Sequence, residues 1–125
     1  MIAARTMLST GAVRLSSMRA SLAGLTFHVL DVERSREFYA RIPGAVLEAH
    51  RPGEFALFRI GKAHLGLLQS KRTGLHLEVD TTDLDEFYKR LVAAGVEPEG
   101  APLNRPWGER TFNVRDPDGN LIEFQ

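Results

Sequence analysis

The chain has 125 residues, of which 43% are hydrophobic and 26% charged, and its 16 basic and 16 acidic side chains give a formal net charge of zero. This length and composition indicate one globular domain, and the balanced charge excludes the basic surface that is typical of a nucleic-acid-binding protein. No apolar run reaches about 18 residues, which excludes a membrane-spanning helix. The absence of cysteine excludes disulfides and thiolate-bound metals and is typical of a cytoplasmic protein.

Residues 1–23 form a basic N-terminal extension, with Arg5, Arg14 and Arg19 but no acidic residue. An acid-free stretch that contains arginines and serines is typical of an organelle transit peptide. Two other interpretations stay open, namely a start at a later methionine and an arm that packs on the domain. We therefore expect a cytoplasmic protein, with targeting to an organelle through residues 1–23 as the alternative.

The first half of the remaining chain predicts one strand, one helix and three further strands. Alternating apolar residues predict a strand over 25–30, and an apolar stripe with helical spacing predicts a helix over about 32–42. Asp31 is the expected N-cap of this helix, and Pro43-Gly44 ends it. The three further strands are predicted near 44–49, 54–60 and 63–69.

The second half of the chain predicts the same order of elements. A strand over 74–79 precedes a helix over about 83–94, which Gly95 ends. The final strands are predicted near 97–103, 109–115 and 120–125. The last two are joined by the sequence DPDGN at 116–120, in which proline, aspartate and glycine favour a tight turn.

An internal repeat relates the two halves. Residues 37–42 read EFYARI and residues 86–91 read EFYKRL, each after a strand-like run and before more strands. Repeats of this length are typical of a duplicated supersecondary unit, here βαβββ. One sheet face of each unit must be covered by its helix, which leaves the other face free to line a cavity. We therefore expect a domain of residues 24–125 with modules at 24–70 and 73–125.

Three stretches of the chain carry a resemblance to a known family. They are LDVERSREFY at 30–39, DLDEFYKRLVAAGV at 83–96 and WGERTFNVRDPDGNLIEF at 107–124. In these stretches the chain resembles the vicinal oxygen chelate superfamily of glyoxalases, bleomycin-resistance proteins and extradiol dioxygenases. The resemblance implies an α+β fold in which two tandem βαβββ modules form a cupped, mostly antiparallel eight-stranded sheet, with a helix on the outer face of each half. It also implies a homodimer.

In active members of that superfamily, four strand residues bind a divalent metal in the cup. The corresponding positions here are Gly24, Gly74, about Gly66, and Glu123. Only Glu123 has a donor atom, whereas a catalytic divalent site needs about three protein ligands. We therefore predict no metal or other cofactor. The alternative is a relocated site for Zn, Ni, Mn or Fe, formed by Glu123, His76 and His64.

The prediction for function is a small-organic-molecule binding protein of the glyoxalase/bleomycin-resistance type without a catalytic metal, because the bleomycin-resistance branch acts by sequestering its ligand. One alternative is a divalent-metal-dependent lyase, isomerase or dioxygenase with the relocated site, and another is a partner module that acts through its dimer interface. No catalytic residue is assigned, although a metal-free His–Glu acid–base pair stays open. The residues predicted to bind the ligand are Thr26, His28, His76, Glu78, Trp107, Asn113 and Glu123.

Overall fold

The computed structural model describes residues 18–125. Its elements follow the predicted order of βαβββ twice. In the first module they are β1 (Ala20–Val29), α1 (Val32–Tyr39), β2 (Ala45–Arg51), β3 (Phe55–Ile60) and β4 (Ala63–Gln69). In the second module they are β5 (Gly74–Thr81), α2 (Leu84–Ala93), β6 (Leu103–Asn104), β7 (Arg110–Arg115) and β8 (Leu121–Phe124).

The eight strands form one open sheet in the order β2-β3-β4-β1-β5-β8-β7-β6, which confirms the predicted fold class. The pairs β1–β4 and β5–β8 are parallel, and the other neighbours are antiparallel. The two modules meet through the antiparallel pair β1–β5, in which Thr26 lies opposite His76. One chain therefore contributes both halves of the sheet.

Two hydrophobic clusters cover the same face of the sheet. The first joins Val32 of α1 to Phe58 and Leu67 of the sheet, all of which are buried. The second contains Phe112 and Phe124, on which α2 packs its own apolar residues. Burial of a side chain of this size contributes about 1.5–3 kcal/mol. Because successive side chains alternate between the faces of a strand, the polar residues of β1 and β5 are left on the opposite face.

The boundaries of the first two elements differ from the prediction. Asp31 caps α1 as expected, since its side chain accepts hydrogen bonds from the backbone N–H groups of Glu33 and Arg34. The helix ends at Tyr39 rather than at residue 42, because the chain tightens into three-residue turns after it. Strand β1 begins at Ala20 rather than at residue 25, since β5 extends to Thr81 and pairs with it.

The predicted strand over 97–103 is wrong. Strand β6 contains only Leu103 and Asn104, and the residues before it are irregular. Pro98 and Pro102 have no backbone N–H to donate to a sheet, which limits regular pairing here. The segment is instead tied to β7 at single points, such as the bond from Glu99 N to the carbonyl of Asn113 at 2.9 Å.

The predicted turn between β7 and β8 is present. Asp116 Oδ1 accepts hydrogen bonds from the backbone N–H of Asp118 at 2.9 Å and of Asn120 at 2.8 Å. Gly119 has a φ of 86°, a conformation that costs glycine little. This turn sets the register in which Glu123 lies opposite Asn113.

The proposed targeting signal falls mainly on residues 1–17, which lie outside the described part of the chain. Arg19, at the start of the described region, donates its backbone N–H to Thr82 Oγ1 at 3.1 Å. Within residues 18–125, neither helix has the length and apolar character that a bilayer crossing requires.

Candidate functional site

Four of the predicted ligand-binding residues form two hydrogen-bonded pairs across the β1–β5 junction. Thr26 Oγ1 donates to Glu78 Oε1 at 2.5 Å, and His28 Nε2 lies 2.8 Å from His76 Nδ1. Both contacts are diagonal, because Thr26 lies directly opposite His76 in the strand register. When both imidazoles are neutral, one nitrogen of the His pair donates and the other accepts, so each ring fixes the tautomer of the other.

Glu123 joins this group from β8. It lies beside Glu78 in the parallel pair β5–β8, and one donor atom each of His76, Glu78 and Glu123 lies within 4.8 Å of the others. All three side chains are half-buried. Asn113 of β7 lies on the other side of Glu123 in the register. The structure therefore brings six of the seven predicted residues into one continuous region of the sheet.

The environment of this group changes two pKa values. Burial raises the pKa of Glu123, and the nearby charges of Glu78 and Glu109 raise it further, while Arg105 opposes them. Burial lowers the pKa of His76, with Glu78 acting in the opposite direction. Burial therefore favours the neutral form of the His76 imidazole, and Glu123 takes up a proton more readily than a free glutamate.

His64, the third residue of the predicted alternative metal site, belongs to a different cluster. Its Nε2 lies 3.0 Å from Glu48 Oε1, while Arg59 Nε donates to Glu48 Oε2 at 3.0 Å. The structure thus brings together two residues of that predicted set, His76 and Glu123, and the third nearby donor is Glu78. Sequence analysis missed Glu48 and Arg59, although the alternation along β3 could have placed Arg59 on the same face as His64.

Two of the three glycines at the family's metal-ligand positions, Gly24 and Gly66, are closely packed. A Cβ atom added to Gly24 would overlap the backbone carbonyl of His64, and one added to Gly66 would overlap the hydroxyl of Thr26. A Cβ at Gly74 would have only ordinary contact with His28, at 3.8 Å. The backbone at Gly24 therefore has no space for any side chain, including a metal-binding one.

Trp107 is the predicted residue that lies apart from this group. It is in the segment between β6 and β7, and 63% of its surface is exposed. In the same segment Arg105 Nε donates to Thr111 Oγ1 at 2.8 Å, and Thr111 is completely buried. Sequence analysis missed Arg105, because the proline-rich segment has no periodic pattern from which the direction of a side chain could be inferred.

One depression beside the sheet, of about 220 Å³, lies between the segment before β7 and β7 itself, and Asn113 is among its lining residues. Another, of about 640 Å³, lies near the turn between β2 and β3 and is lined by Leu68, Gln69 and Lys71 among others. The larger depression includes none of the residues predicted to bind the ligand.

The His76–Glu78–Glu123 group combines two carboxylates with a neutral imidazole. Carboxylates accept hydrogen bonds from hydroxyl or ammonium groups, and a neutral imidazole can donate, accept or take up a proton. The two carboxylates and the imidazole are also common ligands of divalent cations. The arrangement can therefore hold either a polar organic molecule or a metal ion.

Comparison with known proteins agrees with this architecture. The model of the Glyoxalase/Bleomycin resistance protein/Dioxygenase superfamily matches residues 22–124. A bleomycin resistance protein of Geobacillus stearothermophilus is 25% identical over 116 residues, which span 75% of this chain and 87% of that protein. Relatives of the same description and identity occur in Staphylococcus aureus.

Two solved structures share the fold. A superfamily member from Vibrio splendidus 12B01 is 22% identical, with a TM-score of 0.67 over 86% of this chain and 97% of that one. The Mn(II)-bound glyoxalase of Novosphingobium aromaticivorans is 20% identical, with a TM-score of 0.64 over 82% of this chain and 37% of that one. The match of the family model over residues 22–124 shows that this chain belongs to the glyoxalase/bleomycin resistance protein/dioxygenase superfamily, and the shared fold agrees with it.

Proposed function

We propose that the protein binds a small organic molecule on the polar face of the sheet, at Glu78, Glu123 and the His28–His76 pair, and does so without a catalytic metal. The observation that carries the proposal is the packing at Gly24, where a side chain would overlap the backbone of His64. The first of the family's metal-ligand positions therefore cannot hold a donor in this backbone. Relatives described as bleomycin resistance proteins agree with a binding function.

Two of the polar groups at the site already have protein partners, which also supports the proposal. Glu78 accepts the hydroxyl hydrogen of Thr26, and His76 Nδ1 is bonded to His28. These bonds hold the side chains in fixed orientations before any ligand arrives, which lowers the entropic cost of binding. The remaining acceptor capacity of Glu78 and Glu123 suits a ligand that carries hydroxyl, amide or ammonium hydrogens.

A thermal-shift screen tests this proposal. Small hydrophobic and polyphenolic compounds and bleomycin are added to protein purified in chelator, and at least one should raise the melting temperature. A ligand at a hundred times its Kd stabilises the folded state by about 2.7 kcal/mol, which is easily measured. Glu123→Ala should remove the shift, while Glu37→Ala, which changes an exposed carboxylate on α1, should retain it. If no compound stabilises the protein purified in chelator, the proposal fails, and the result favours the alternative of a partner module that acts through its dimer interface.

The second candidate is a metal-dependent lyase, isomerase or dioxygenase, which the convergence of His76, Glu78 and Glu123 favours. Bonds of about 2.1 Å to a divalent ion place two donors at most about 4.2 Å apart, so atoms within 4.8 Å of one another need only small rotations. Thr26 and His28 would then orient the ligands, as outer-shell partners do in metal sites. Such an ion would supply Lewis-acid chemistry.

Metal analysis separates the two candidates. Protein purified without chelator should contain less than one equivalent of Zn, Ni, Mn or Fe under the leading proposal and one equivalent under the second. In the second case Glu123→Ala should abolish the bound metal, whereas Glu37→Ala should not. A homodimer stays a prediction from the family resemblance, and light scattering of the eluted protein measures it.

A further inference from the structure

A cavity beside β7 lies outside the His76–Glu78–Glu123 group. It has a volume of about 220 Å³, and its lining includes Gly100, Leu103, Arg105 and Asn113. The irregular segment that covers it is fastened to β7 by the Glu99–Asn113 backbone bond and by the Arg105–Thr111 bond. The space is large enough for a small organic molecule.

Asn113, one of the residues that line this cavity, has an unmatched acceptor. Its Oδ1 atom is buried, and it is the single buried side-chain polar atom in residues 18–125 that has no hydrogen-bond partner. A buried acceptor without a partner destabilises a fold. An apolar residue of similar size would avoid that penalty.

Arg105 brings a cation to the same cavity, and its charge lowers the pKa of the nearby Glu123. Its Nε donates to Thr111, but within residues 18–125 its terminal Nη nitrogens have neither a hydrogen bond nor an ion pair. The two arginines of β7 differ from Arg105, because each forms an ion pair. Arg110 pairs with Asp85 at 2.8 Å, and Arg115 pairs with Glu99 at 2.8 Å. A half-buried guanidinium with free Nη groups suits a carboxylate, which it can bind with two parallel hydrogen bonds.

We propose that this cavity binds a small carboxylic acid that carries a hydroxyl or ammonium group on the adjacent carbon. The carboxylate pairs with Arg105, and the neighbouring O–H or N–H donates to Asn113 Oδ1. Because Asn113 lies opposite Glu123, the acid sits on the same face as the His76–Glu78–Glu123 group. The inference goes beyond the proposed function, and it holds whether that group binds an organic molecule or a metal.

Calorimetric titration with three acids tests the proposal. L-Lactate carries the hydroxyl, L-alanine carries the ammonium, and propionate has the carboxylate but no adjacent donor. Lactate or alanine should bind about tenfold or more tightly than propionate, the size expected for one hydrogen bond to a buried acceptor. Binding of one and not the other identifies the donor group. Equal affinity for all three acids, or binding of none, would overturn the proposal.

Variants of the two cavity residues separate the two contacts. Arg105→Gln should weaken binding of every acid by roughly ten- to a hundredfold, the range for a charge-assisted hydrogen bond, and Arg105→Lys should restore part of it. Arg34→Gln, on the exposed surface of α1, is the matched control. Asn113→Leu should equalise the affinities for lactate and propionate while leaving the protein as stable as before or more stable. A preference for lactate that survives Asn113→Leu would contradict the assignment.

Glu123→Ala distinguishes this cavity from the site of the proposed function. It should abolish binding of the ligand or metal at the His76–Glu78–Glu123 group. It should not weaken binding of lactate or alanine, because it removes a negative charge near Arg105. Loss of acid binding in Glu123→Ala would mean that the two regions are one site, and the separate cavity would be rejected.

Discussion

Repulsion between the carboxylates of Glu78 and Glu123 should make the unliganded protein less stable than a variant that has only one of these two charges. Donor atoms of Glu78 and Glu123 lie within 4.8 Å of each other. Two unit charges at that distance repel by about 0.9 kcal/mol at a dielectric constant of about 80 and by about 3.5 kcal/mol at about 20. Because both groups are only half-buried, water screens them, and we expect Glu123→Gln to stabilise the protein by about 1 kcal/mol at pH 7.

The dependence of this gain on pH follows from the raised pKa of Glu123. A carboxyl group whose pKa is higher in the folded state binds a proton more tightly there, so its charged form destabilises the fold at high pH. The advantage of Glu123→Gln is therefore complete above the raised pKa. It shrinks as the pH falls through that value and disappears below the ordinary value of 4.5.

Thermal unfolding between pH 3 and pH 8, in buffer with chelator, measures this effect. A gain of about 1 kcal/mol corresponds to a rise in melting temperature of about 4 °C for a domain of this size. Glu37→Gln on the exposed surface of α1 should show no comparable rise. If Glu123→Gln instead melts at a lower temperature than the unsubstituted protein at pH 7, the two carboxylates do not repel each other in the folded state and the reasoning is refuted.

Two further predictions concern the strands β1 and β5. Gly24→Ala should lower the free energy of unfolding by about 1–3 kcal/mol, since the added Cβ overlaps backbone. Gly74→Ala, whose Cβ meets only His28 at 3.8 Å, should be neutral or slightly stabilising. Urea denaturation measures both variants, and equal effects on the free energy of unfolding would contradict this prediction. In NMR titrations His76 should have a pKa below its ordinary value of 6.5, because of burial, and Glu78→Gln should lower it further by removing the charge that now raises it. A rise in the pKa of His76 in that variant would show that Glu78 does not act on it.

The order of the elements could be predicted because each one depends on neighbouring residues. The helical stripes, the Asp31 cap and the turn at 116–120 are all local signals, and the structure contains each of them. The predicted strand over 97–103 failed because the alternation of residue types there was weighed above the two prolines. The start of β1 at Ala20 was missed because it depends on pairing with the end of β5, which is distant in sequence.

The composition of the site could be predicted only in part. Alternation along single strands places Thr26, His28, His76 and Glu78 on one face, and the structure has them there in contact. Which of them touch depends on the register between β1 and β5, and a single sequence does not specify that register. His64 illustrates the limit, because its partner comes from a bulged strand, β2, that no pattern along β4 could identify.

The register also explains how the site can stay polar although Gly24 and Gly74 occupy two of the family's metal-ligand positions. Because β1 and β5 are antiparallel, Gly24 lies opposite Glu78, and Gly74 lies opposite His28. Each missing donor therefore faces a polar side chain of the other strand. Measured along β1, His28 is about 13 Å from Gly24. Measured across the junction, it lies opposite Gly74, so the polar side chain next to each of these two glycines comes from the neighbouring strand.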